Sequence, residues 1–142
     1  MQNRPVAHLL AVFVGGIVGS GLRLALDLAL PHADNQFPLD TLLINVVGSF
    51  ALGLLVAGLW SSRISSIVRA GLGPGLLGSF TTFSAVALAV VLLSASTPPN
   101  PVLAVGYLIL TLVLGFGAAL LGLRLGRRLS SASSETDPET GE

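Results

Sequence analysis

Cysteine and lysine are both missing from this chain of 142 residues. Without cysteine there is no disulfide framework, no thiol nucleophile and no Cys-based metal site. Without lysine, all seven basic residues are arginine. Charge of either sign is scarce: 10% of residues are charged, against roughly 25% in a typical soluble domain. What remains is apolar. Hydrophobic residues make up 52% of the chain, and the mean hydropathy is +0.86. This is the composition of an integral membrane protein with one small domain at most. The first apolar segment is longer than the h-region of a secretory signal and has no clear cleavage site, which speaks against such a signal. The formal net charge of zero hides a strong asymmetry along the chain.

About 20 apolar residues cross a bilayer as a helix. Four segments qualify, at roughly 6–30, 39–60, 67–94 and 102–125. The connections 31–38, 61–66 and 95–101 are rich in turn and breaker residues. The expected fold is therefore an all-α membrane protein. Residues 1–129 form one four-helix transmembrane unit, and residues 130–142 form a Ser/Thr-rich, acidic, disordered tail.

Four spans put the N-terminus, the second connection and the C-terminus on one side. That side holds Arg4, Arg63, Arg69, Arg124, Arg127 and Arg128, whereas the first connection carries Asp34 and no Arg. Basic loops face the cytoplasm, so both termini are predicted on the cytoplasmic side of the cell membrane. Small residues recur at helix-packing spacing: Gly15 and Gly19; Ser49, Gly53 and Ala57; Gly122 and Gly126. Such stripes let helices approach closely, and packing alone accounts for each of them. Four short helices do not easily enclose a polar path and also shield it from lipid, so an oligomer is expected.

The third span holds the most informative stretch, Gly78-Ser79-Phe80-Thr81-Thr82-Phe83-Ser84. A run of Gly and hydroxyl residues at bilayer depth makes a poor helix, and non-helical backbone is tolerated there only where protein buries it or it lines a polar cavity. Carbonyls freed around Gly78 to Thr81 could be satisfied by a bound cation. Phe80 and Phe83 flank the break. Their electropositive ring edges could contact a dehydrated anion, although ordinary packing is the commoner role of a membrane Phe.

Other intramembrane polar residues each need a reason. Arg23 and Asp27 have i, i+4 spacing, consistent with a local ion pair. Arg23 could equally sit in a water-filled vestibule and attract anions. Asn45 shares a helix face with Thr41, four residues earlier. Its amide donors suit an anion or a neighbouring carbonyl, and interhelical bonding is the commoner use. Tyr107 and Thr111 form a second i, i+4 polar pair in the fourth span. Nothing resembles an enzyme site: there is no intramembrane carboxylate pair, Ser–His arrangement, P-loop or metal-ligand cluster. His8 and His32 are isolated near the membrane edges. The sparse arginines give no nucleic-acid signature either.

Taken together, three blocks resemble the Fluc (CrcB) family of small fluoride channels over nearly the whole chain. They are Gly15-Gly16-Ile17-Val18-Gly19-Ser20-Gly21-Leu22-Arg23, Thr41-Leu42-Leu43-Ile44-Asn45-Val46-Val47-Gly48-Ser49-Phe50, and the 78–84 stretch. The resemblance implies an antiparallel dimer with two fluoride paths at its interface. It also implies a central structural Na⁺, not transported, on the backbone carbonyls of Gly78 and Thr81. Asn45, Thr41, Tyr107, Thr111 and Phe83 would belong to the fluoride pathway, with Arg23 at the vestibule. Fluoride would leak passively out of the cell, with no ATP or redox cofactor. Two positions depart from the family pattern. Val86 stands where a second Phe is usual, and Gly115 stands where a polar residue is expected one turn beyond Thr111. With the one-sided Arg distribution, these departures favour pairing with a homologous subunit of opposite orientation over pairing with itself.

Two other readings compete. A proton-coupled small-anion transporter needs a titratable intramembrane group, for which Asp27 and Asp40 are the candidates. A non-conducting membrane assembly subunit would explain the glycine stripes, but gives no reason for Asn45 together with the third-span break.

Overall fold

The computed structural model describes residues 3–31, 33, 36–59 and 64–134. His32, Asp34, Trp60, Arg63 and residues 135–142 of the predicted tail lie outside the described residues. Four helical stretches are long and apolar enough to cross a membrane: Pro5–Ala29, Leu39–Gly58, Ser66–Ala95 and Pro101–Ser131.

Helix α1 (Asn3–Ala29) stops two residues before Pro31, whose ring disfavours helical geometry in the residue before it. Helix α2 (Leu39–Leu54) starts after Pro38, with Asp40 in its first turn where the helix dipole favours an acid. It continues as a π-turn over Leu55–Leu59.

The third span is composite. Ser65 caps α3 (Ser66–Ala70) by accepting from the Val68 amide at 3.3 Å. A π-helix over Gly71–Leu77 follows and contains Pro74, which has no N–H to give an α-helical ladder. The single turn α4 (Gly78–Phe80) ends at Thr81. Thr81 (ψ 153°) and Thr82 (φ −151°, ψ 123°) are extended, and α5 (Phe83–Ala95) begins after them.

Helix α6 (Pro101–Ser134) opens with proline at its first position, and the Asn100 side chain accepts from the Leu103 amide at 3.0 Å. It runs past residue 125, where hydropathy ends the span, and takes in the first residues assigned to the tail. The Leu and Arg residues between 120 and 129 are good helix formers, so the helix outlasts its apolar stretch.

The third span changes neighbours at Thr81–Thr82. Its first half lies along α1, while α5 packs on α6. Helix α2 lies along α6 and makes only minor contact with α1. The glycine stripes are the seams of these pairs. A Cβ on Gly15 would strike the Gly71 carbonyl, and one on Gly19 the Leu76 carbonyl. On the other pair, Gly53 abuts the Ala119 carbonyl and Gly122 the Phe50 carbonyl. Leu42, Val86, Ala89, Leu93, Ala104 and Tyr107 form a small core between α2, α5 and α6. Most large apolar side chains of α1 and α6 point outward, Leu9, Phe13, Val102 and Phe116 among them. In water that surface would be a liability; in a bilayer it faces its own solvent.

Candidate functional site

The break at Thr81–Thr82 is held by one side chain on α2. Asn45 donates from Nδ2 to the Thr82 carbonyl at 2.9 Å, and its Oδ1 accepts from the Thr82 amide at 2.8 Å. The carboxamide thus satisfies both halves of one residue's peptide groups, as a neighbouring strand would. Of the two roles open to Asn45, bonding to a carbonyl is realised. Thr82 also caps α5, its Oγ1 accepting from the Ala85 amide at 3.2 Å and lying 3.0 Å from Ser84 Oγ.

These diversions have a consequence for specific carbonyls. In an unbroken α-helix the amide of residue i+4 closes onto the carbonyl of residue i. The amides due to Gly78 and Thr81 are therefore those of Thr82 and Ala85. Both are bound instead to side-chain oxygens, Asn45 Oδ1 and Thr82 Oγ1. The carbonyls of Gly78 and Thr81 lose their helical donors. The Leu77 carbonyl, by contrast, accepts from both the Thr81 amide at 3.0 Å and the Thr81 hydroxyl at 2.9 Å.

Two cavities flank the break, and Thr82 lines both. The first, of about 360 Å³, is lined by Asn45, Ser49, Thr81, Phe83, Thr111 and Phe116, with Val86 and Gly115 in its wall. The second, of about 410 Å³, takes in Arg23, Asp27, Asp40, Thr41 and Ser84. Arg23 and Asp27 therefore share a cavity wall as well as a helix face. The Thr41 hydroxyl points toward Asp40 Oδ2 at 3.4 Å, and both residues are buried.

Tyr107 lines neither cavity. It is 1% exposed within the small core, its ring edge-on to Phe37 with centroids 5.4 Å apart. Among the described residues neither its hydroxyl nor that of Thr111 finds a hydrogen-bond partner. A buried hydroxyl without a partner costs roughly 1–3 kcal/mol, so each such group calls for a partner such as water or an ion. Thr111 is the one of the two that faces a cavity.

The aromatic residues divide sharply. Phe80 is buried against the bare face of Gly48, in a packing role. Phe83 is 70% exposed while lining the first cavity, and so is Phe116. Sequence reasoning missed Phe116, because one Phe among Leu and Val in an apolar helix carries no signal. The two departures lie in the same wall. Val86 is only 1% exposed and belongs mainly to the core, whereas a Cβ on Gly115 would meet nothing closer than Ser49 Oγ at 3.9 Å. Gly115 therefore leaves room in the cavity.

Residues 10–123 match the family described as "CrcB-like protein, Camphor Resistance (CrcB)". A "Fluoride-specific ion channel FluC" of Chelativorans sp. is 40% identical over 124 residues, 86% of this chain and 98% of its own length. The protein of the same name from Idiomarina loihiensis is 43% identical over 95 residues, 66% of this chain and 74% of its own. A "Fluoride-specific ion channel FluC 2" of Bacillus licheniformis is 39% identical over 126 residues, 88% of this chain and 91% of its own. The match runs from within α1 to Leu123 of α6 and takes in both cavities, and on that basis the chain belongs to the CrcB family.

Proposed function

We propose that this chain is a subunit of a passive, fluoride-selective channel in the cell membrane, exporting fluoride from the cytoplasm. The observation that carries the reading is the rerouting of the Thr82 and Ala85 amides beside a cavity lined by Phe83 and Thr111. The names of the relatives point the same way. Fluoride is small and strongly hydrated, so a path for it must replace water with fixed donors and positive partial charge. Along the two cavities those are the Arg23 guanidinium, the Thr111 hydroxyl, the second proton on Asn45 Nδ2 and the edge of Phe83, with Thr41 beside them once its proton turns from Asp40. Tyr107 lies behind Thr111 in the core and lines neither cavity.

Na⁺ fits the break. The donor set it would use is the Gly78 and Thr81 carbonyls, which have lost their helical amides. Among the described residues no three His, Asp or Glu side chains gather at a metal site, so backbone oxygen is the available chemistry. A resident monovalent cation supplies a fixed positive field to the neighbouring path.

A single copy leaves the first cavity open on the side of Phe83 and Phe116. We place a second subunit there, antiparallel to this one, in a pair that holds two paths and two breaks. The arginine bias favours a homologous chain inserted the other way up, with both termini of this chain in the cytoplasm.

The test is fluoride efflux from liposomes loaded with KF, read by a fluoride electrode with chloride as control. This chain alone is expected to be slow, and co-reconstitution with a homologue of opposite charge bias is expected to give rapid, fluoride-selective efflux. Full flux from this chain alone removes the need for a different partner. Silence in both preparations removes the channel reading.

A further inference from the structure

A third cavity, of about 420 Å³, lies away from the break, between α2 and the far end of α6. It is lined by Phe50, Leu121, Arg124, Leu125 and Arg128. The four α6 residues follow i, i+3, i+4, i+7 spacing and form one stripe on one helix face. The lining combines three apolar side chains, Phe50, Leu121 and Leu125, with two guanidinium groups.

Among the described residues, no acidic side chain lines the groove beside that pair. There is no Asp or Glu anywhere from residue 41 to residue 134. Asp27 and Asp40 line the cavity at the opposite end of the helices. Like charges four residues apart on a helix repel, so an anion seated between Arg124 and Arg128 relieves a strain that is built in. The depth is also right. From Pro101 to Arg124 the helix rises about 35 Å. That exceeds the roughly 30 Å of hydrocarbon in a bilayer and brings the guanidinium groups to the level of lipid phosphates.

We infer that this groove is a binding site for an anionic phospholipid. Its phosphate is held by Arg124 and Arg128, and the start of an acyl chain lies on Phe50, Leu121 and Leu125. A guanidinium pair matches phosphate geometry, and the apolar part of the lining selects a lipid over a free anion. The inference stands apart from the channel reading and involves no residue of the proposed path.

The experiment uses the full chain in a neutral detergent, with bound lipid counted by native mass spectrometry and unfolding temperature measured alongside. Phosphatidylglycerol is expected to bind and to raise the unfolding temperature, while phosphatidylcholine does neither. The double variant Arg124→Gln, Arg128→Gln is expected to bind phosphatidylglycerol roughly thirtyfold more weakly. Arg127→Gln removes a charge outside the groove and is expected to bind as the parent does. Leu125→Trp fills the groove with an apolar side chain, keeps every charge and is expected to lose the lipid, a second route should the double variant fail to fold. Equal binding by the double variant, or retained binding by Leu125→Trp, overturns the site. So does a loss in Arg127→Gln as large as in the double variant. Equal protection by inorganic phosphate overturns the lipid assignment in favour of a small-anion site. Binding that emerges only when the chain is cut after Ser134 makes the acidic tail the occupant and overturns the proposal for the intact protein.

Discussion

At the scale of single residues, Asn45 and Thr82 bear the burden of the break. Asn45 → Ala leaves the Thr82 amide and carbonyl without their partners, a loss of about 2–3 kcal/mol for two part-buried groups. Denaturant unfolding in detergent should show that loss as a clear drop in midpoint, and an unchanged midpoint would discredit the clasp. Thr82→Val keeps the shape and removes the cap oxygen, at a cost of about 1 kcal/mol, whereas Thr82→Ser keeps the oxygen. Equal stability of the two variants would mean the cap contributes nothing. The sequence shows Asn45 as a costly polar residue in an apolar helix, but hides its partner, because a peptide group leaves no mark in the amino-acid code. Tyr107 and Thr111 are recognisable as a pair from their spacing. That both hydroxyls end up buried and unpartnered depends on the packing of α2 and α5 around them.

Among the elements, hydropathy alone locates the four spans, because a bilayer imposes length and composition on anything that crosses it. It says little about departures from α-geometry. The π-helix over Gly71–Leu77 and the π-turn over Leu55–Leu59 arise where glycine and proline allow a wider winding against a close neighbour, and the apolar pattern runs through both unchanged. The glycines separate into two kinds that a sequence does not distinguish. Gly122→Ala drives a methyl into the Phe50 carbonyl and is expected to destabilise by about 1–3 kcal/mol. Gly106→Ala meets nothing within 4 Å and should be neutral or stabilising by up to about 1 kcal/mol through helix propensity. Thermal unfolding of the two variants side by side decides this, and matching midpoints would contradict the seam.

For the whole molecule, the start of α1, the start of α3 and the far ends of α2 and α6 gather at one end. His8 Nε2 lies 3.0 Å from Ser66 Oγ, and Gly58 packs against Gly126. Arg69, Arg124, Arg127 and Arg128 therefore belong to one end of the bundle, which is what the charge asymmetry of the sequence implies once the helices are stacked. The absence of native cysteine makes the orientation easy to read. A single Ser134→Cys in intact cells is expected to react with an impermeant thiol reagent only after the membrane is opened. Equal labelling before and after would refute a fixed orientation.

The change of neighbours at Thr81–Thr82 also has a mechanical side. Helix α1 meets α2 only slightly and is attached mainly through the first half of the third span, while α2, α5 and α6 form the other body. Within the third span the two groups are joined by two extended residues, braced by the carboxamide of Asn45. The join between the two groups of helices and the stretch whose carbonyls, Gly78 and Thr81, have lost their helical donors are thus the same piece of backbone.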